Sequence, residues 1–251
     1  MIATGWVFIF GLGCSDPGPK EKPVTIETVS QKITFDSVAR MGPHHAIADI
    51  SRERWSRGEL VRSRTESIEL DWNSWESFHF QRRVNGERTF EAIVHENTRA
   101  SRGRSGPWRS DFDGEQARMD VYTSWNAWDE ALPGFRERIG FEDMGATVVD
   151  GRDAHRFKLK LIPETKKKNK SSSRQFRPHR IEGEVVLDKA TAVRLRVDVT
   201  AVEKKSEKTR KTTLRVRRSG IGETQTLNTP QVQLGTPGDL LKKLPKRPNP
   251  Q

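Results

Sequence analysis

The side chains of this chain that could do acid–base chemistry are pairs of neighbouring carboxylates. Glu69 with Asp71, and Glu142 with Asp143, are the clearest such pairs. General acid–base catalysis needs groups whose surroundings set their pKa values for proton transfer. Both pairs lie in stretches rich in arginine, where solvated or ion-paired carboxylates are the ordinary outcome. They therefore predict no acid–base site.

The other residue types that carry chemistry are dispersed. The six histidines are His44, His45, His79, His95, His155 and His179. They form no His-x-x-x-His pair, and no carboxylate stands at ligand spacing from them, so no metal site is predicted. The glycines between Gly103 and Gly106 lie among arginines and predict a loop, not a phosphate cradle. The sequence thus predicts a protein that is not an enzyme and has no cofactor.

Cys14 is the only cysteine among 251 residues. It follows an uncharged apolar run at residues 6–10 and then Gly11-Leu12-Gly13, an order that resembles a bacterial lipobox. The run is shorter than the roughly 20 residues that span a bilayer, so it predicts a signal peptide. Diacylglycerol on the thiol plus an N-acyl chain would anchor the protein stably. The alternative is an N-terminal strand or core segment with a buried free cysteine.

Composition narrows the class of protein further. The net charge is +11, with 33% apolar and 31% charged residues, which suits one large all-β domain or two small ones. A single cysteine excludes a disulfide framework, a cysteine zinc site and a Cys-His nucleophile pair within the mature domain. The basic charge would also suit nucleic acid, but an exported chain seldom meets it, so no nucleic-acid partner is predicted.

From Gly58 onward, apolar and polar residues alternate with the period of half-buried strands. Three pairs, Asn85-Gly86, Asp113-Gly114 and Asp150-Gly151, separate alternating runs. Each pair predicts a hairpin, because both central residues of a type I′ turn need positive φ. Strands at 181–187 and 192–202, joined by a turn at 188–191, and a last strand at 210–217 bring the total to nine or ten. The predicted sheet is an antiparallel meander.

Two stretches depart from the strand period. Trp125, Trp128, Leu132 and Phe135 recur at intervals of three and four, which predicts a helix with Ser124 as its cap. Pro133-Gly134 should break or kink this helix. Residues 24–55 give conflicting signals and are interpreted as an entry segment that contains a helix.

These features together resemble the periplasmic lipoprotein-carrier superfamily, which includes the LolA and LolB sorting proteins and mycobacterial lipid-transfer lipoproteins. The resemblance rests on the lipobox, the Asp150-Gly151 turn followed by Phe-Lys-Leu-Lys-Leu at 157–161, and the strand, turn and returning strand at 183–195. It covers residues 58–218, with Ala192 standing where the family has glycine. It implies a mainly β fold, in which a curved antiparallel sheet forms a half-open barrel with one or two helices plugging its concave apolar face. Acyl chains would bind between plug and sheet.

The resemblance assigns the large apolar side chains to that cleft. The predicted ligand-binding residues are Trp72, Phe78, Phe80, Phe90, Trp108, Trp125, Trp128, Phe157, Leu159 and Leu195. Each buried CH₂ of a ligand would contribute about 0.8 kcal/mol there. The alternative is that these residues form the core of a closed sandwich.

A basic insertion at 163–180 interrupts one hairpin. Its predicted contacts with an anionic surface are Lys166, Lys167, Lys168, Lys170, Arg174 and Arg177. Near an anionic membrane each such residue would contribute about 1 kcal/mol, in a salt-dependent way. The alternative is a solvated excursion without a partner.

The resulting prediction is a membrane-anchored, non-enzymatic envelope lipoprotein that binds or carries a lipid or acyl chain. The alternative is an envelope interaction protein that docks on a partner protein or an anionic glycan through its basic surface. The predicted order is a signal peptide at 1–13, a tether at 14–23, the half-barrel domain at 24–226 and a mobile Pro/Lys-rich tail at 227–251. Because Ser15 and not Asp follows Cys14, the family's sorting rule implies the outer membrane, facing the periplasm.

Overall fold

The computed structural model describes residues 24–96, 98–110, 114–163 and 176–231. The predicted signal peptide, the lipidation at Cys14 and the tether lie outside these residues. So do residues 164–175 of the basic insertion and the tail beyond residue 231.

Ten strands form one antiparallel sheet in the order β5-β4-β3-β2-β1-β10-β9-β8-β7-β6. Their bounds are β1 His44–Ser56, β2 Glu59–Ser74, β3 Ser77–Val84, β4 Glu87–His95, β5 Thr98–Gly103, β6 Ile139–Val149, β7 Arg152–Leu161, β8 Arg177–Asp188, β9 Arg194–Lys205 and β10 Lys208–Ser219. The edge strands β5 and β6 do not pair with each other, so the curved sheet is a half-open barrel. The predicted fold class is confirmed.

The helices lie at the two places where the meander is interrupted. Helices α1 (Ile26–Ser30) and α2 (Phe35–Met41) precede the sheet. Helices α3 (Gly114–Trp125) and α4 (Ala127–Ala131), followed by a short 3₁₀ turn at Pro133–Phe135, connect the two edge strands. Helix α4 contacts β10, and α1 contacts β6. We call these four helices and the 3₁₀ turn the helical layer.

Two of the predicted hairpins are confirmed by their turn geometry. Asn85 and Gly86 have φ values of 51° and 81° between β3 and β4, and Asp150 and Gly151 have 48° and 76° between β6 and β7. These are the positive angles that a type I′ turn requires. Arg57 and Gly58 make the same turn between β1 and β2, with φ of 52° and 85°. Sequence reasoning missed that third turn because arginine is not a typical first residue for it.

The hairpin predicted at Asp113-Gly114 is wrong, because α3 begins at Gly114 and occupies the stretch read as a strand. The stretch also carries a helical pattern, since Ala117, Val121 and Trp125 recur every four residues and are all buried. In a strand, Met119 would share the buried face with Ala117 and Val121, but it is 51% exposed. The helical spacing that begins at Trp125 in the sequence therefore marks only the later part of a helical segment that starts at Gly114.

Two boundary predictions also need correction. Ser124 lies inside the last turn of α3, where its Oγ donates to the carbonyl of Val121 at 2.6 Å, so it is not a cap. The entry segment contains α1 and α2 as predicted, but from His44 onward it is β1, which lies between β2 and β10. Small residues on its buried face, such as Ala46 and Ala48, hid the strand period.

The core lies between the concave face of the sheet and the helical layer. Its buried side chains form one continuous cluster that draws on both helices before the sheet and the helices between its edges. Val29 and Val38 come from α1 and α2, and Val121 and Leu132 from the second helical segment. The helical layer thus covers the apolar part of the concave face.

Candidate functional site

The candidate site is the interface between the helical layer and the concave face, and aromatic rings dominate one part of it. Trp72 of β2 contacts Trp75 and Trp125 with ring centroids 4.8 and 4.9 Å apart, in edge-to-face geometry. Phe35 of α2 lies 4.9 Å from Trp75 and 4.8 Å from Tyr122 of α3. Such pairs add about 0.5–1.5 kcal/mol each beyond the area they bury. The rings join the helices to the sheet.

The structure brings most of the predicted cleft residues together in the core. Those buried there are Trp72, Phe78, Phe80, Trp125, Trp128, Phe157, Leu159 and Leu195. Phe90 is partly buried and packs against the same cluster. Trp108 is not part of it: its ring lies 4.5 Å from the guanidinium of Arg102, beyond the end of β5.

The space between helices and sheet is small. A cavity of about 10 Å³ lies between β1, β2, β10 and the end of α3, where Ser124 and Trp125 line it opposite Ala48 and Arg218. That volume corresponds to about one water molecule. At this place the described helices pack closely on the sheet, and an acyl chain could enter there only if the helical layer moved.

Two arginines are buried beneath the helical layer. Arg194 of β9 donates from Nη2 to the carbonyls of Val29 at 3.0 Å and Gln31 at 2.8 Å, and its guanidinium lies 5.6 Å from the ring of Trp128. Burial lowers the pKa of Arg194 to about 10, against the attraction of Asp129. A buried cation is costly unless it is paired and fully hydrogen-bonded.

Arg218 of β10 is the second of these. Burial, and then the charge of Arg194, lower its pKa to about 9. Its Nη1 donates to the carbonyl of Arg194. Nearby His44 is also fully buried, and burial followed by the charge of Arg218 lowers the pKa of His44 to about 3, so this imidazole is neutral at physiological pH. The three side chains place two positive charges and one polar ring in the closed core.

Several polar atoms of this interface have no hydrogen-bond partner among the residues that the structure describes. They are Nε2 of His44, Nε1 of Trp125, Nε and Nη1 of Arg194, and Nε of Arg218. A buried donor left unsatisfied costs about 1–3 kcal/mol. The closed arrangement thus carries an energetic penalty located beneath the helices.

One side chain fastens the helical layer together. Asn126, between α3 and α4, accepts from the main-chain N–H of Ile33 at 2.9 Å and donates to its carbonyl at 3.3 Å. Its Nδ2 also donates to the carbonyl of Tyr122 at 3.2 Å. The segment that links α1 to α2 is thereby attached to the second helical pair.

The concave face changes from apolar to charged halfway along β1 and β2. Buried Ile50 of β1 and Ile68 of β2 are each followed, two residues towards the β1–β2 turn, by a charged side chain, Arg52 and Glu66. Beyond that point the face is lined with arginine. We call this part the arginine groove, and its residues are Arg52, Arg54, Arg62, Arg64, Arg82 and Arg210.

Sequence reasoning missed the arginine groove although a signal was present. Arginines recur with period two at 52 and 54 and at 62 and 64. What joins the four is the Arg57-Gly58 turn, which sets the register of β1 against β2. Unless that turn is recognised, the sequence does not show that the two arginine pairs lie opposite each other.

Two of the carboxylates weighed for acid–base chemistry, Asp71 and Asp143, are hydrogen-bonded to histidines. Asp71 lies between His45 at 2.7 Å and His79 at 3.4 Å, and the hydrogen bond from His79 lowers the pKa of Asp71. Asp143 bonds His155 at 2.5 Å. In the described part of the chain, no three His, Cys, Asp or Glu side chains are grouped so that they could hold a metal ion.

The turn that carried much of the family resemblance is held by a buried carboxylate. Asp188 accepts from Nε and Nη2 of Arg152 at 2.9 and 3.2 Å, and from the N–H and Oγ1 of Thr191 at 2.9 and 2.6 Å. Ala192 follows with φ of 58°, a left-handed angle that favours glycine. The turn joins β8 to β9 as predicted.

Comparison with solved structures returns, among others, a mycobacterial lipoprotein and a LolA superfamily protein. Lipoprotein LppX of Mycobacterium tuberculosis matches with 9% identity over 80% of this chain and 96% of its own, at a TM-score of 0.29. LprF of Mycobacterium bovis matches with 14% identity over 83% and 99%, at 0.30. A LolA superfamily protein of Nitrosomonas europaea matches with 8% identity over 81% and 93%, at 0.24.

The matches include a LolA superfamily protein, and that superfamily is the one that the sequence motifs resemble. No protein-family model matches the sequence. A search of curated proteins finds no match either. At these identities and TM-scores the similarities assign no function to the chain. None of the described helices is long and apolar enough to cross a bilayer.

Proposed function

We propose that this protein is a non-enzymatic lipoprotein of the cell envelope that binds an acyl chain between its helical layer and the concave face of its sheet. Diacylglycerol on Cys14 would anchor it, residues 14–23 would act as the tether, and residues 24–226 would form the binding domain. The predicted placement at the outer membrane, facing the periplasm, belongs to the same proposal.

The observation that carries the proposal is the penalty beneath the helices. Arg194 and Arg218 are both 3% exposed, and neither guanidinium has a carboxylate within salt-bridge distance among the described residues. Most of the other side chains of the interface are apolar or aromatic, as an acyl chain requires. A closed state weakened at this one interface can open there without unfolding the sheet.

The opening would expose a large apolar surface that an acyl chain can cover. The side chains freed on the sheet would include Trp72, Leu70 and Val216, and those freed on the helices Val121 and Trp125. Each CH₂ that they bury would contribute about 0.8 kcal/mol. On opening, the sheet would thus lose apolar contacts with the helices and gain apolar contacts with the bound chain.

Native mass spectrometry tests the proposal directly. The full chain, extracted in mild detergent, should carry a lipid adduct, and after delipidation it should bind a fluorescent fatty acid. Binding should persist at 1 M NaCl, about the concentration at which the screening length falls to roughly 3 Å. A clean protein mass together with no fatty-acid binding would contradict the proposal.

A second function is favoured by one observation, the small size of the cavity. If the helical layer does not move, the closed sheet serves as a scaffold and the basic surface, including Arg177 and the lysines of the insertion, docks on a partner protein or an anionic glycan. Electrostatic docking should be lost at the same NaCl concentration that leaves acyl binding intact. The salt dependence therefore separates the two functions.

A further inference from the structure

The arginine groove carries more positive charge than its own residues neutralise. Across the β1–β2 pair, Arg52 faces Arg64 and Arg54 faces Arg62, and on the other side of β1 Arg54 faces Arg210 of β10. Like charges directly opposite each other destabilise a sheet. Such an arrangement in the middle of a sheet needs a compensating charge.

The carboxylates on this face supply only part of that compensation. Glu66 is 3% exposed and lies 3.5 Å from Arg52 and 3.7 Å from Arg64, and it also pairs with Arg82. Glu203 lies 3.4 Å from Arg210. Six arginines against two glutamates leave an excess of four positive charges.

The groove is open and has room for a ligand group. Its volume is about 240 Å³, and Arg52, Arg54, Arg62, Arg64 and Arg210 line it together with Glu53. Glu53 is engaged with Lys211 at 3.8 Å and with the indole N–H of Trp55 at 3.2 Å. Arg54 and Arg62 make no ion pair with any described residue. These guanidinium groups suit a tetrahedral oxyanion, because each guanidinium can donate two parallel hydrogen bonds to the oxygens of the anion.

The groove is continuous with the apolar core. Arg52 is two residues beyond Ile50 on the same face of β1, and two residues of strand span about 6.6 Å. Arg52 also donates to the carbonyl of Glu130 at 3.3 Å, which ties the groove to helix α4 of the layer that must move. A ligand whose chain lay under the helices would therefore bring its polar end to these arginines.

We propose that the arginine groove binds the phosphate of an anionic lipid headgroup while the acyl chain lies beneath the helical layer. The inference rests on the proposed function, because the chain must enter the core for the headgroup to reach the groove. The arginine groove makes the protein selective for phosphate-bearing anionic lipids over zwitterionic lipids of the same chain length. A net negative headgroup is needed to offset the surplus charge, since a choline group would place a cation among the arginines.

The test compares binding of phosphatidylglycerol and phosphatidylcholine with identical chains to the full-length protein in detergent. The wild type should favour phosphatidylglycerol about tenfold or more, and Arg62→Gln/Arg64→Gln should lose that preference, chiefly through weaker binding of phosphatidylglycerol. Arg83→Gln/Arg215→Gln removes two exposed arginines outside the groove and should keep the preference.

A further measurement distinguishes binding of a lipid headgroup from binding of a free anion. Inorganic phosphate alone should bind at least tenfold more weakly than phosphatidylglycerol, because it lacks the chain. Equal affinity of the wild type for the two lipids would overturn this inference but leave acyl binding intact. Binding of phosphate without binding of either lipid would overturn both the inference and the proposed function. Equal loss of preference in the two double variants would show a non-specific charge effect and would also contradict the groove.

Discussion

Arg218 donates a hydrogen bond from Nη1 to the main-chain carbonyl of Arg194, and both arginines are buried beneath the helices. Burial, and then the charge of Arg194, lower the pKa of Arg218, whereas burial lowers the pKa of Arg194. Cores seldom retain such groups without a use, because removing them commonly stabilises a fold. The two buried arginines therefore lower the stability of the closed helix–sheet interface.

Replacement of Arg218 by methionine should stabilise the closed state. The apolar side chain fills a similar volume without the cost of a buried charge, so we expect the free energy of unfolding to rise by about 1–3 kcal/mol. Uptake of a fluorescent fatty acid should become slower. Urea unfolding and stopped-flow fluorescence measure the two effects.

Arg217→Met is the matched control for that variant. Arg217 is the preceding residue, and its Nη2 pairs with Asp198 at 2.8 Å. Its replacement should change stability by no more than about 1 kcal/mol and leave the uptake rate as in the wild type. If Arg218→Met lost stability instead, the buried charge would be a stabilising element and the proposed penalty would not exist.

Replacement of Asn126 by alanine should have the opposite effect on uptake. It breaks both hydrogen bonds to Ile33 and so separates the two halves of the helical layer. We expect unfolding free energy to fall by about 1–3 kcal/mol and fatty-acid uptake to accelerate. The rate is again read by stopped-flow fluorescence.

Asn73 offers a control with the same chemistry. Its side chain accepts from the N–H of Gln225 at 2.7 Å and donates to the carbonyl of Gln225 at 2.9 Å, which ties β2 to the segment after β10. Asn73→Ala should lose comparable stability without faster uptake. Equal acceleration in both variants would mean that uptake follows global stability and not the helical layer.

His79 should make stability depend on pH. Its hydrogen bonds to Asp71 and then Glu91 raise the pKa of His79 to about 9, from an ordinary value of 6.5. A raised pKa contributes stability that is fully present below pH 6.5 and is lost as pH rises through 9. The difference in unfolding free energy between wild type and His79→Asn should be on the order of 1–3 kcal/mol at pH 6 and should shrink towards pH 9.

His179→Asn changes an exposed histidine in β8 and is the control for the substitution itself. Urea unfolding at several pH values measures both variants. A difference for His79→Asn that stayed constant from pH 6 to pH 9 would argue against a charged His79 in the folded protein.

Asp188 should be the most sensitive position of the turn between β8 and β9. Asp188→Asn keeps the shape but removes the charge that pairs with Arg152, and we expect a loss of about 2–4 kcal/mol. Arg152→Gln alone should cost less, because Arg152 is partly exposed, and the double variant should cost less than the sum of the two. Strictly additive losses in urea unfolding would contradict the pairing.

Local turn chemistry made the sheet predictable from the sequence. Asn85-Gly86 and Asp150-Gly151 locate two hairpins, because few other residues accept positive φ. Helix α3 was not predictable in the same way, since Ala117 and Val121 satisfy both the strand period and the helix period. Only the exposure of Met119 distinguishes them, and exposure is a property of the folded chain.

The polar features of the candidate site were the least predictable. Arginine is almost never fully buried unless it is paired, so nothing in the sequence singled out Arg194 or Arg218. Their burial follows from the helices that close over β9 and β10, which is a long-range contact. The aromatic residues, by contrast, were expected at the core from their side chains alone.

The central claim is that the helical layer moves off the sheet to admit an acyl chain. Hydrogen exchange of the full-length protein, followed by mass spectrometry with and without oleic acid, measures that movement by segment. The account predicts that ligand changes exchange in α1–α4 and in β1 and β10 beneath them, while the exposed turn at Asn85-Gly86 stays as it was. Saturating oleic acid with no change in the helices, or a change confined to the outer face, would contradict it.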